Sequence, residues 1–305
     1  GDRTKNEVHT LPHQALGVGE RSRVPIRRPL GTSARVTISV VDSNGVPLGV
    51  VRGQDAPVFG TDVSLQKART AAFFSNTQAA ADLQSGLTAN YLESTLSGGA
   101  PVVDRTIQIG DYVTALRNFV GDNTALANGV AFSDRAGGNL SRPFFPDGIT
   151  SAPHGPLSKP QGQWSPFSTG LQLDLVYDNL VGHVAFVAGI RPDPGIGCSN
   201  ISRTTGAGPV DPLANGTQIF PGSVPIYRGN TLVGGIGVSG DGVDQDDLIA
   251  FLGVHRAGQR LGSINNAPNS MRADRIVVDG TRLRYVQCPF KPFNDSDAQN
   301  VCEGK

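Results

Sequence analysis

Four aspartates crowd the joint between a glycine-rich run and an apolar helix-like run in FPGSVPIYRGNTLVGGIGVSGDGVDQDDLIAFL, Phe220 to Leu252. Carboxylate oxygens are the ligands that Ca²⁺ prefers, so Asp241, Asp244 and Asp246 are candidate metal ligands. The spacing does not match the calcium-binding loop of an EF-hand, because glycine precedes the acids and no Glu stands at the twelfth position. The favoured interpretation is that these carboxylates cap a helix and complement its dipole.

Other motifs that would identify catalysis are missing from the sequence. GGIGVSG does not match a phosphate loop, and neither G-x-S-x-G nor H-E-x-x-H occurs. Asp246 and Asp247 are adjacent, so a helix would point them in different directions. The glycines instead indicate close approach of the backbone to a helix or a ligand. Whether the protein is an enzyme stays open.

Composition excludes two classes of partner. Lys+Arg and Asp+Glu both number 26, so no basic excess favours nucleic acid. The sequence contains no run of 18 apolar residues, so it predicts no membrane span. The chain contains 39 Gly and 21 Pro, which indicates many short strands and ordered loops.

Three cysteines bear on the cellular location. A disulfide between Cys288 and Cys302 would close a loop of about 15 residues and contribute roughly 3 kcal/mol. Two unrelated reduced thiols are the alternative. The disulfide is the favoured interpretation, and it predicts a periplasmic or secreted protein. Cys198 would then remain unpaired.

Two hairpin-then-helix units organise the chain. Strand-like runs within Arg35–Gly53 precede a helix over Thr61–Phe74, and runs within Ser223–Gly240 precede a helix from Asp244 to about Ala257. Sequential antiparallel strands with helices packed to one side predict an α+β domain.

The segment between these units is long and rich in Pro and Gly. DYVTALRNFV is helix-like, whereas LQLDLVYDNLVGHVAFVAG is interpreted as a strand pair. A hairpin-like run, DRIVVDGTRLRYVQC, lies in the tail. Four aromatic residues of the middle segment look exposed and predict a homo-oligomer with this segment at the interface: Phe144, Phe145, Trp164 and Phe167.

Several blocks in order resemble the GlcG/HbpS-like haem-binding family, whose fold also forms the C-terminal domain of PduO-type cobalamin adenosyltransferases. The blocks are VVDSNG, SLQKARTAAFF, PGSVPIYRG and VGGIGVSG…QDD. The resemblance implies a profilin-like fold in a single domain over residues 1–305, with its core at about 7–75 and 216–260. Residues 76–215 are then an insertion that is mostly irregular, and residues 261–305 a C-terminal extension.

The resemblance also implies frequent oligomers and a haem cofactor in some members. The family's first helix would fall near Glu7 to Arg23, although Pro12, Gly17 and Gly19 interrupt that pattern. His13 lies in this region and is the first candidate for an axial ligand of haem, with His183 second. Lys67 and Arg69 are candidate partners for the haem propionates.

Three functions are compatible with the sequence. The first is a haem- or tetrapyrrole-binding protein in haem handling or an electron-transfer pathway. The second is a cofactor-free structural or assembly subunit of a homo-oligomer or of a larger extracytoplasmic complex. The third, an enzyme acting on a small organic acid or aromatic, rests on the family's neighbours alone.

Overall fold

The structure is a computed structural model that describes residues 4–92, 103–195 and 197–305. Its α-helices are α1 (Lys5–Gly19), α2 (Gly60–Phe74), α3 (Ala79–Leu83), α4 (Gly110–Val120), α5 (Asp134–Asn139), α6 (Gly170–Asp174), α7 (Tyr177–Val187) and α8 (Val243–Leu261). Its strands are β1 (Thr37–Asp42), β2 (Pro47–Arg52), β3 (Thr88–Leu92), β4 (Val103–Gln108), β5 (Arg203–Thr205), β6 (Gly208–Val210), β7 (Ser223–Arg228), β8 (Thr231–Ser239), β9 (Asn265–Asn266), β10 (Val277–Val278) and β11 (Thr281–Arg282).

A five-stranded sheet is the centre of the fold. Its strand order is β2-β1-β8-β7-β9, and every neighbouring pair is antiparallel. Both predicted hairpins therefore lie in one sheet, where Thr37 of β1 faces Ser239 of β8. The predicted α+β class is confirmed.

Helix α2 covers one face of this sheet at very short range. A Cβ added to Gly235 would lie 2.3 Å from the carbonyl oxygen of Ala68, and one added to Gly237 would lie 2.1 Å from that of Ser64. Glycine is therefore required at both positions of β8, because any side chain would force the helix away. This confirms the prediction of close backbone approach.

Helices α1 and α8 cover the opposite face, so the expectation that helices pack to one side is wrong. The reason is that strands β1 and β8 are buried along nearly their whole length and need cover on both faces. Helix α1 is continuous although Pro12 lies inside it. A capping box between Thr4 and Glu7 stabilises its start, and a Cβ on Gly253 of α8 would lie 2.5 Å from that of Ala15.

The middle segment builds a second hydrophobic core against the end of α2. Phe73 and Phe74 meet Leu83, Val113 and Leu140 there. Helix α4 confirms the helix predicted for DYVTALRNFV. The strand pair predicted for LQLDLVYDNLVGHVAFVAG is wrong, because this run forms α6 and α7. Its apolar residues recur at intervals of three and four, which is a helical period: Leu173, Val176, Leu180, Val184 and Val187.

The four aromatic residues expected to be exposed differ in burial. Phe167 is 75% exposed. Phe145 is buried, because its ring packs edge-on against Phe119 in the second core. Phe144 and Trp164 are partly buried. The expectation of exposure is therefore wrong for Phe145 and holds fully for Phe167.

The tail forms the predicted hairpin, β10 with β11, and then returns to the first core. Cys288 and Cys302 form a disulfide, as predicted, and both pack against that core. Cys198 is a free thiol. Over the described ranges, no helix combines the length and apolar character needed to cross a membrane.

We predict that replacing both Cys288 and Cys302 by serine lowers the free energy of unfolding by about 3 kcal/mol, since the unfolded chain loses the constraint of the closed loop. Denaturant unfolding of wild type and variant measures this difference. Cys198→Ser is the matched control and should leave the free energy of unfolding unchanged. Equal midpoints for the double variant and wild type would contradict the prediction.

Candidate functional site

A cavity of about 570 Å³ opens between α2, the start of α8 and the α6–α7 part of the middle segment. Its volume is in the range of small-molecule sites. Apolar side chains form much of its wall, including Val63 and Val176. Phe59 and Phe167 stand at the rim and are 59% and 75% exposed. The cavity therefore suits a ligand with a large apolar surface.

Amide side chains form the polar part of the lining. Gln66 donates from Nε2 to the carbonyl oxygen of Asn215 at 2.7 Å, and Gln218 donates to Oε1 of Gln66 at 2.8 Å. Gln172 donates to the carbonyl oxygen of Thr217 at 3.4 Å, while its own Oε1 is buried and accepts no hydrogen bond from the described residues. A ligand group or water that offers an O–H or N–H would satisfy that oxygen.

Lys67 reaches the cavity from α2, and its ammonium group is committed elsewhere. Nζ donates to the carbonyl oxygen of Val238 at 2.8 Å and to Oδ2 of Asp246 at 2.9 Å, and both side chains are buried. A Cβ on Gly222 would lie 2.6 Å from Nζ, so only glycine leaves room for this pair. Lys67 therefore ties α2 to β8 and α8, and it is not a free cation for a ligand carboxylate.

The other aspartates of the acidic joint are each held by an arginine. Arg135 donates from Nε to Oδ2 of Asp247, and its terminal nitrogen lies 2.6 Å from Oδ1 of Asp244. Asp241 accepts from the side chain of Arg27, and from the backbone N–H of Arg35 at 2.7 Å.

These contacts correct the interpretation of the joint. Gly242 is the N-cap of α8, and no side chain caps that helix, so the predicted capping by aspartate is wrong although the helix does begin here. The carboxylates bind three different cations, and none of them caps the first turn of α8. Among the described residues, no group of three or more His, Cys, Asp or Glu side chains is placed to hold a metal ion, and a metal at Asp241, Asp244 and Asp246 stays a prediction.

Burial shifts the protonation of the carboxyl groups behind this joint. Asp134 is fully buried, and neither of its carboxyl oxygens has a hydrogen-bond partner in the part of the chain that the structure describes. Desolvation raises its pKa well above the ordinary value, although the positive charge of Lys67 opposes the shift. Desolvation likewise raises the pKa of Asp246 and of Asp247 to about 6, against the attraction of their cations.

The histidines predicted as haem ligands, His13 and His183, do not line the cavity. His13 is exposed on α1, where its ring stacks on His9 at 4.3 Å between centroids. His183 is exposed on α7. His255 borders a separate hollow of about 460 Å³. No histidine of the described residues lines the 570 Å³ cavity.

Arg69 also lies outside the cavity lining. It is half-buried and donates to the carbonyl oxygen of Gly45 at 2.9 Å and to Oδ1 of Asn215 at 2.7 Å. Cys198 does line the cavity, with an exposed side chain. Desolvation, together with Asp62 and Asp211, raises the pKa of this thiol, which disfavours the thiolate.

Comparison with known proteins identifies the family. The family model described as "Haem degrading protein HbpS-like" matches residues 18–114 and 195–255, just over half of the chain. The chain belongs to the HbpS-like family. The resemblance drawn from the sequence blocks is confirmed. No curated protein gives a significant match.

Two solved structures are similar to this HbpS-like chain. One is described as the crystal structure of a PduOC:haem complex, with 14% identity, a TM-score of 0.33, and coverage of 88% of this chain and 100% of that one. The other is the crystal structure of the Klebsiella pneumoniae protein ORFY, with 14% identity, a TM-score of 0.33, and coverage of 84% of this chain and 90% of that one.

The matched ranges separate the HbpS-like core from what has been added to it. Lys67, Asp241 and Asp246 lie inside the match, whereas His13, His183 and Arg135 lie outside it. Sequence reasoning missed Arg135 and the buried Asp134 before it. The local sequence feature that could have indicated them is Ser133, a typical N-cap residue. It caps α5 and so determines the direction of the Asp134 and Arg135 side chains.

We predict that Asp134→Asn makes stability less dependent on pH. A raised pKa means that the folded chain holds the proton more tightly than the unfolded chain, where aspartate titrates near ~3.9. The contribution of this group is therefore greatest at low pH and declines as the pH rises above about 4 toward the folded pKa. Asparagine does not titrate, so the variant lacks this loss of stability. Its free energy of unfolding should therefore increase relative to that of wild type as the pH rises, by up to about 1.4 kcal/mol per pH unit.

Denaturant unfolding at about pH 5 and about pH 8 measures this difference. Asp104→Asn removes an exposed carboxyl group and controls for the change in net charge. A difference between Asp134→Asn and wild type that is the same at both pH values would contradict the prediction.

Proposed function

We propose that this HbpS-like protein binds haem or a related tetrapyrrole noncovalently, in haem handling or an electron-transfer pathway. The family's description as haem-degrading supports the class of ligand. The 570 Å³ cavity with apolar walls carries the proposal, because a flat macrocycle needs a large apolar space. The chain has no C-x-x-C-H motif for covalent attachment.

The cavity fits the ring better than it fits the iron. Val63, Val176 and Phe220 offer apolar contact to a macrocycle. Among the cavity residues, Cys198 has a side chain that commonly ligates haem iron, as a thiolate. The raised pKa of this thiol disfavours the thiolate and so works against that role. We therefore propose that apolar contacts hold the macrocycle. Its polar edge, which carries the propionates, would lie at the open mouth of the cavity between Phe59 and Phe167.

His13 remains a prediction as an axial ligand, at a different place. Its ring is exposed, so a haem bound there would require a second surface to shield it from water. The two locations differ in which substitution abolishes binding. One titration therefore distinguishes them.

We predict that Val63→Trp weakens haemin binding at least about tenfold, because an indole on this wall would occupy part of the cavity. Titration with haemin, followed by the Soret band, measures the affinity. Val277→Trp adds the same side chain to the exposed β10 and should bind as wild type does.

His13→Ala completes the test. Unchanged affinity in this variant, with loss in Val63→Trp, supports the cavity. Loss in His13→Ala with normal binding by Val63→Trp would move the ligand to α1 and overturn the cavity assignment. No Soret shift in wild-type protein would overturn haem binding altogether.

A second candidate function, a cofactor-free assembly subunit, is favoured by one surface. Leu180, Val184 and Val187 lie at helical spacing on α7 and are 50%, 60% and 72% exposed. Ile190 follows them and is 78% exposed. A second copy of the chain would cover this apolar face by a twofold contact, in which the same patch serves both subunits. This supports the homo-oligomer that the sequence predicts.

We predict that Val184→Asp converts a dimer into a monomer, because a charge would then be buried in an apolar contact. Light scattering at micromolar concentration measures the mass. Val50→Asp, on the exposed side of β2, is the control and should keep the wild-type mass. A monomeric wild-type protein would overturn the proposal.

We also propose a periplasmic or secreted location. The disulfide between Cys288 and Cys302 supports it, since such bonds persist in oxidising compartments. Fractionation of the producing cells, followed by detection of the chain, tests this location.

A further inference from the structure

A third, smaller cavity of about 240 Å³ lies where the middle segment meets the tail. Four arginines line it: Arg135, Arg142, Arg282 and Arg284. Asp147 is the one acidic residue among its described lining. It adjoins the larger cavity, because Phe220 lines the larger one and Pro221 lines the smaller. Its volume is too small for a macrocycle.

Arg142 lines this cavity and has no carboxylate of the described residues closer than 3.7 Å. Its side chain is only 17% exposed, and no hydrogen bond to it occurs in the described parts of the chain. Its nearest carboxylate, Asp147, is 3.7 Å from Nε and is itself 57% exposed. The guanidinium group lies 6.0 Å from the ring centre of Trp164 and 5.8 Å from that of Phe220. These aromatic rings position the guanidinium group without using its N–H donors.

The fixed orientation of Arg142 has a structural origin. Trp164 donates from Nε1 to the carbonyl oxygen of Ser141 at 2.9 Å, so the indole cannot turn freely. Ser141 in turn donates to the carbonyl oxygen of Gly137 in α5. The ring that supports Arg142 is thereby attached to the same helix that carries Arg135.

The other three arginines of the cavity differ in how far their charge is already paired. Arg135 is neutralised by Asp244 and Asp247, as described above. Arg284 donates one terminal nitrogen to Gln287 at 2.6 Å, and it is exposed. Arg282 is exposed on β11. Arg142, Arg282 and Arg284 thus face a single acid, and the cavity has an excess of positive charge.

We propose that this cavity binds the oxyanion group of a small molecule, a phosphate or a carboxylate. A guanidinium group offers paired N–H donors that match the oxygens of either group, and no hydrogen bond within the described residues uses those donors of Arg142. Burial lowers the pKa of Arg142, and the positive charge of the neighbouring Arg135 lowers it further, whereas Asp147 raises it. A bound anion would therefore stabilise the charged form of Arg142.

Thermal unfolding with inorganic phosphate tests the proposal on the full chain. We expect the melting temperature of wild type to rise saturably with phosphate, beyond the effect of sodium chloride at equal ionic strength. Arg142→Gln should raise the half-saturating concentration about tenfold, and Arg142→Lys should also weaken binding, since it keeps the charge and loses the paired donors. Arg260→Gln, an exposed position at the end of α8, is the matched control.

Arg284→Gln, at an exposed position, keeps the test valid if Arg142→Gln does not fold. A parallel titration with succinate distinguishes the two chemical sources, because the ligand with the lower half-saturating concentration names the class. Equal half-saturation for wild type, Arg142→Gln and Arg284→Gln would overturn the proposal. A rise that sodium chloride reproduces fully would overturn it as well.

Discussion

The close approach of α2 to β8 is the constraint on which the rest of the structure depends. Gly235 and Gly237 bring the helix backbone nearly onto the strand. That distance lets Lys67 reach past the strand to Asp246 at the start of α8, so one side chain joins elements on both faces of the sheet. A longer spacing would leave a buried ammonium group and a buried carboxylate without each other, at a cost of several kcal/mol.

The acidic joint shows how buried charge organises the added segments. Asp247 is fully buried and accepts from Arg135, which the middle segment supplies, and from the backbone N–H of Gln287 in the tail. The insertion and the extension therefore both depend on a carboxylate of the core. An aspartate that looks like a helix cap in the sequence is the point at which three parts of the chain meet.

Much of the core could be predicted from sequence, because its signals are local. The turn DSNG, the small-residue face of α2 and the glycines of β8 each dictate nearby geometry. The sequence of the α6–α7 run wrongly predicts strands, because short apolar runs fit both the helical and the strand period until their neighbours are known. Arg135 could not be assigned to Asp247, since the two are separated by most of the middle segment and no local pattern links them.

The pairing of β1 with β8 also determines the order of events when the chain folds. Thr37 must wait for Ser239, so the central sheet cannot close until the whole middle segment has left the ribosome. Contacts this distant in sequence make folding slow, because the entropy of closing the loop is spent before the sheet stabilises it. The second core is under the same constraint, because Ala273, Val278 and Leu283 of the tail belong to it and follow Ser239 in the chain.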